Sequence, residues 1–261
     1  MTACGEKTTG SSDPAATIDE TAVNPTEIIV FAAASMTETL EELADKYEAE
    51  HPAVRLTYNF DSSGTLKTQI EEGAACDLFI SAAQKQMNAL EEGGYIDSET
   101  RVDLLENKVA LCVAENSDSE IKSYDDMKDH LEAGDILMAI GNKDVPVGQY
   151  TQKIFAYYGL DEAALAEKGV LTYSSNVKEV TTQVKEGTVD CGIIYQTDAY
   201  SAGLDVADTA TEQMCGQVVY PAAVLANSKS SAEAKAFLDY LQTTDASAVF
   251  EKVGFTPLAN K

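Results

Sequence analysis

The sequence predicts an α/β protein of two halves, each a mainly parallel sheet flanked by helices, and three observations carry that expectation. Short apolar runs of strand character alternate with amphipathic runs of helical period along most of the 261 residues, the pattern of parallel strands joined by crossover helices. Several of these strands run directly into a helix through small hydroxyl residues, Ser35 and Ser63 among them. An apolar strand near residue 109 and another near 218 mark the places where the chain leaves the first half and returns to it.

Composition narrows the function classes. The chain is 44% hydrophobic and 24% charged, as in ordinary globular proteins. Eighteen basic residues against 44 acidic ones give a formal charge of −26, which argues against nucleic acid or an anionic membrane surface as the main partner. An anionic ligand would have to be held by local dipoles, because charges more than about 10 Å away are screened.

Residues 1–26 are rich in Thr, Ser, Gly, Ala and Pro and read as a disordered tether that builds no core. Met1-Thr2-Ala3-Cys4-Gly5 resembles the end of a bacterial lipoprotein signal, which makes Cys4 a candidate lipid-anchor cysteine. The alternative is an incidental cysteine in a linker. Beyond the tail, residues 28–33 read as a strand and 36–50 as a helix with Met36, Leu40, Leu43, Ala44 and Tyr47 on one face. Ser35 followed by Glu38 reads as a capping box at that helix start. Pro52 stops the helix at His51. Residues 54–60 form the next strand, followed by a helix over 65–72, a buried strand over 77–81 and a helix over 84–92. Residues 100–106 read as a further helix.

The second half repeats the theme. Strands are expected over 109–114, 136–140, 170–173 and 191–195, and helices over 124–131, 149–158 and from Val177 onward. Pro146 suits a first helical turn, where its missing N–H would have had no partner. The strand over 218–226 contains Pro221, which suggests an edge or a bend. Two C-terminal helices follow, the first opened by a second capping box, Ser230 and Glu233. The predicted organisation is 27–108 plus 222–261 as one half and 109–221 as the other.

Ligands of such sheets bind outside the carboxyl ends of the strands. Four junctions stand out there: Ser35, Ser63, Val147 and Val177, two from each half. They offer hydroxyls and unpaired helix-start amides, which bind an anion without a counter-charge. Tyr195, at the end of its strand, adds a phenolic donor, or is a core tyrosine with a wet hydroxyl. Asp61, beside the serine pair, would repel a dianion but could accept a hydrogen bond from a protonated oxyanion, or it is an ordinary turn residue.

Five segments carry a family resemblance: Phe31-Ala32-Ala33-Ala34-Ser35-Met36, Ser62-Ser63-Gly64-Thr65-Leu66, Ala75-Cys76-Asp77-Leu78-Phe79-Ile80-Ser81-Ala82, Val145-Pro146-Val147-Gly148-Gln149-Tyr150 and Gly192-Ile193-Ile194-Tyr195. In this order and spacing, from Ile28 to Phe255, the chain resembles the periplasmic molybdate-binding proteins of molybdate ABC transporters. The resemblance implies a two-lobed periplasmic-binding-protein-like fold with a two-crossover hinge. It also implies a monomer outside the cytoplasm, anchored by lipid or soluble in the periplasm, that closes on molybdate or tungstate and delivers it to a membrane permease. The oxyanion contacts it implies are Ser35, Ser63, the amides of Val147 and Val177, and Tyr195. Phosphate or sulfate is the alternative ligand. No cofactor is expected.

Other readings are weaker. Cys76, Cys112, Cys191 and Cys215 show no C-x-x-C spacing and read as buried thiols, with disulfide pairing left open. His51 and His130 are the only histidines, and neither has a partner at metal-ligand spacing. There is no nucleophile elbow, Walker A pattern or dinucleotide-binding glycine fingerprint, so neither a hydrolase nor a transferase is expected. The effector domain of an oxyanion-sensing regulator shares the two-lobed shape, but no helix-turn-helix segment is evident.

Overall fold

The computed structural model describes Met1 and residues 25–258. Cys4 and most of the expected tether lie outside the described residues. In chain order the strands are β1 (Thr26–Ala33), β2 (Val54–Asp61), β3 (Leu78–Ile80), β4 (Val102–Asn107), β5 (Val109–Val113), β6 (Met138–Gly141), β7 (Leu171–Ser174), β8 (Cys191–Tyr195), β9 (Val206–Thr209), β10 (Val218–Val224) and β11 (Thr256–Pro257). They form a six-stranded sheet of order β11-β4-β10-β3-β1-β2 and a five-stranded sheet of order β7-β6-β8-β5-β9. Each sheet is flanked by helices and centres one lobe.

Both sheets are mixed, where the sequence predicts mainly parallel ones. Pairings β1–β2, β1–β3, β6–β7 and β6–β8 are parallel, and these are the strands linked by crossover helices. The antiparallel pairings involve β4, β5, β9, β10 and β11, the strands that carry the chain between the lobes or close the first sheet at its end. Lys108 alone separates β4 from β5, so one extended segment serves two sheets. The return passes through a short helix, Glu212–Cys215, into β10.

Two further expectations are corrected and a third is narrowed to one of its two alternatives. Residues 100–106 are not a helix: a 3-10 turn at Ser98–Thr100 precedes β4, whose Leu104 and Leu105 are buried and whose Leu105 pairs with Tyr220 of β10. A two-residue apolar cluster does not reveal a period, and tertiary pairing decided it. All of Val218–Val224 lies in the six-stranded sheet, so residues 218–221, assigned to the second half, belong with the first. Pro221 lies in a central strand, where a register shift between Tyr220 and Pro221 absorbs its missing donor. It marks a bend and not an edge.

The helix Thr37–Glu50 buries Leu40, Leu43, Ala44 and Tyr47, the face expected from its period. Tyr47 meets Phe237 of the C-terminal helix Ser231–Tyr240 with ring centroids 5.0 Å apart. Each fully buried Leu or Phe contributes about 1.5–3 kcal/mol. This packing holds the first helix, and with it the turn at Ser35, against the sheet.

Candidate functional site

The carboxyl ends of β1, β2, β6, β7 and β8 face one another across the cleft between the lobes. There Ser35 and Ser63 of the first lobe and Val147, Val177 and Tyr195 of the second line one cavity, together with Asp61, Ser62, Ala82 and Pro146. All five predicted residues are buried, so the lobes are closed on each other. The space left between these residues is about 10 Å³, far below the usual 300–1,000 Å³ of sites for larger organic ligands.

Local structure explains how donors come to face this space. Ser62 is the cap of the helix Ser63–Glu71 and accepts from the Thr65 amide at 3.2 Å. That leaves the first amides of the helix without intrahelical acceptors. Ser63 Oγ accepts from the Ala82 amide at 2.9 Å, so its own hydrogen is available to the cavity. Asn176 caps the helix Val177–Lys185 by accepting from Glu179 N. Pro146 is the first residue of the helix Pro146–Tyr158. Gly148 packs so tightly on the preceding loop that a Cβ there would lie 2.1 Å from the Asn142 carbonyl, which fixes the turn presenting Val147.

Ser35 departs from expectation. The capping box with Glu38 is absent, because a 3-10 turn at Ala34–Met36 precedes the α-helix and no side chain caps it. Ser35 Oγ instead hydrogen-bonds the Tyr220 hydroxyl at 2.9 Å. Glu38 reaches across the cleft to Lys178 at 2.7 Å. The second capping box fails likewise: Ser230 starts its helix without a side-chain cap and donates to the Glu27 carbonyl.

The electrostatics match neutral recognition of an anion. Among the described residues no Lys or Arg lines the cavity. The Tyr195 hydroxyl is buried with no hydrogen-bond partner, and burial holds it well above the usual phenol range, so it stays a donor. Asp61 lies on the wall, and its Oδ1 accepts from the Ser62 amide at 2.6 Å. Nearby Asp198 is fully buried, and burial pushes its carboxyl up to about 6 against the pull of the Lys178 ammonium. Lys178 Nζ lies 3.4 Å from Asp198 Oδ1.

The comparisons with known proteins bear on this geometry. Residues 28–256 match the family model described as bacterial extracellular solute-binding protein. The chain belongs to that family. It is 34% identical over 248 residues to a putative ABC transporter substrate-binding lipoprotein, YvgL, of Bacillus subtilis, covering 94% of this chain and 91% of that one. It is 35% identical to the molybdate-binding protein ModA of Escherichia coli, covering 88% and 89% of the two chains. A solved substrate-binding domain of a putative molybdenum ABC transporter from Clostridium difficile superposes with a TM-score of 0.66 at 32% identity, covering 89% of this chain and 99% of that one. The family binds solutes and is not enzymatic, in line with the reading of the sequence.

Among the described residues no helix is long and apolar enough to cross a membrane, and no three His, Cys, Asp or Glu side chains gather as a metal site. Cys76, Cys112, Cys191 and Cys215 are buried free thiols. Sequence reasoning missed Tyr220, Asn107 and Asp198 around the site. Asn107 and Tyr220 lie within strands and carry no junction signal, whereas Asp198 stands in the first turn of the helix Gln196–Ala202 that follows Tyr195, so its position was open to the same reading.

Proposed function

We propose that this protein captures molybdate or tungstate between its lobes and delivers it to a membrane ABC permease. The observation that carries the reading is the convergence of Ser35, Ser63, Val147, Val177 and Tyr195 on one small cavity without a cation. Two hydroxyls, two helix-start amides and a buried phenol supply donors to a tetrahedral dianion from both sides. The oxyanion thereby favours the closed state over the open one. The molybdate-related names of the relatives support the choice of oxyanion. Selectivity over sulfate would follow from cavity size, since both are tetrahedral dianions. Cys4 would carry a lipid anchor to the outer face of the cell membrane, and the protein would act as a monomer.

A second reading rests on Asp61, whose carboxylate lines the cavity and could accept a hydrogen bond from hydrogen phosphate. Titration calorimetry with molybdate, tungstate, sulfate and phosphate separates the two. Tight binding of molybdate and tungstate supports the first reading, and binding of phosphate alone replaces it with the second.

A further inference from the structure

We infer that Asn107 and Tyr220 form a hydrogen-bond relay that fixes Ser35 as a donor to the cavity and sets its preference for fully deprotonated oxyanions. The inference rests on the oxyanion reading of the site.

Asn107 is the last residue of β4, beside the crossing between the lobes, and its orientation is set by the backbone. The Lys108 amide donates to Asn107 Oδ1 at 2.8 Å, so Nδ2 must point the other way. Nδ2 donates to Thr197 Oγ1 of the second lobe at 2.9 Å and to the Tyr220 hydroxyl oxygen of the first at 3.1 Å. Tyr220 is fully buried and has a single hydrogen. Its oxygen is already an acceptor, and Ser35 Oγ is its other partner at 2.9 Å. Either hydroxyl of that pair could donate; the relay assigns the Tyr220 hydrogen to Ser35 Oγ, which leaves the Ser35 hydrogen for the cavity.

The polarity matters because of what it excludes. A hydroxyl locked as a donor serves every oxygen of a dianion but opposes the hydrogen of a protonated oxyanion, which needs an acceptor. The relay also touches both lobes through Thr197 and Tyr220, so the group that orients Ser35 stands at the hinge.

The test is calorimetry of Tyr220→Phe and Asn107→Asp with molybdate and with phosphate at pH 8, where phosphate is mostly the hydrogen phosphate dianion. Tyr220→Phe deletes the relay. Asn107→Asp reverses it, because an acceptor there takes the Tyr220 hydrogen and leaves Tyr220 to accept from Ser35. Both should weaken molybdate binding by about tenfold, one hydrogen bond's worth, and weaken phosphate less, so that the molybdate-to-phosphate affinity ratio narrows. The ratio cancels the added charge of Asn107→Asp, since both ligands are dianions. A general loosening of the fold would weaken both ligands alike, and an unchanged ratio in both variants overturns the relay. If Ser35→Ala loses molybdate affinity in the same series, the oxyanion reading survives that outcome. A wild-type chain that binds no oxyanion overturns that reading and the relay with it.

Discussion

Glu38 of the first lobe and Lys178 of the second form an ion pair across the cleft, with the two carboxylate oxygens 2.7 and 2.8 Å from Nζ. The two partners contribute unequally, because Lys178 also neutralises buried Asp198 at 3.4 Å. Glu38 is half exposed, and exposed pairs are worth about 0.2–1 kcal/mol. Glu38→Gln is therefore expected to weaken ligand binding less than about fivefold and to leave the melting temperature nearly unchanged. Lys178→Met strands a buried carboxylate and should cost on the order of 1–3 kcal/mol of stability at pH 8. Thermal melts of Lys178→Met with and without Asp198→Asn check this, and the second substitution should restore most of the loss.

Asp198 gives the protein a pH dependence of definite sign. Burial raises its carboxyl to about 6 from a usual value near 4, so between these values the folded state binds more protons than the unfolded one. Its contribution to stability is fully present below about pH 4 and is lost as pH rises through about 6. Asp198→Asn should raise stability at pH 8 by on the order of 3 kcal/mol, at about 1.4 kcal/mol per pKa unit. The gain should fade as the pH is lowered from 6 to 4. Denaturant melts across that range would show it, and a gain independent of pH would contradict it.

Gly64 is a place where the backbones of the two lobes approach closely. A Cβ at that position would lie 2.2 Å from the Asp144 carbonyl of the opposite lobe. Gly64→Ala leaves the helix Ser63–Glu71 intact, since alanine is the better helix former, but obstructs closure. The expected result is an unchanged or slightly raised melting temperature without ligand and a loss of molybdate affinity of more than about tenfold, since binding draws on the closed state. Calorimetry paired with small-angle scattering of the liganded protein separates the two effects.

The paired serines should differ from each other in a readable way. Removing either hydroxyl takes a donor from a dry site, at a cost on the order of 1–3 kcal/mol of binding. Ser63→Ala also orphans the Ala82 amide, so its melting temperature without ligand should fall as well. Losses of binding near zero for both variants would contradict the site.

Much of this site was legible because its residues sit at strand-to-helix junctions, which proline, serine and apolar runs mark locally. Ser63 and Val147 are of this kind, and Tyr195 ends a strand whose limits, Cys191–Tyr195, match the predicted ones. What was hidden depended on contacts distant in sequence. The capping box at Ser35 failed because Ser35 falls inside a 3-10 turn, and its hydroxyl instead engages Tyr220, 185 residues away. Glu38 looked like a capping partner and is an interlobe one. The strand at Val102–Asn107 was masked by a two-residue apolar cluster, and it is held as a strand by β10 on one side and β11 on the other. Local chemistry names the ends of elements, while the polarity of a buried network depends on the assembled fold.

The central claim is that a cation-free cavity closed from both lobes holds a tetrahedral oxyanion dianion. Titration calorimetry of the purified chain with molybdate, run beside tungstate, sulfate and phosphate, tests it most directly. The account predicts saturable one-to-one binding of molybdate and tungstate, lost progressively in Ser35→Ala, Ser63→Ala and Gly64→Ala. Absence of heat and of any stabilisation with all four oxyanions would contradict it.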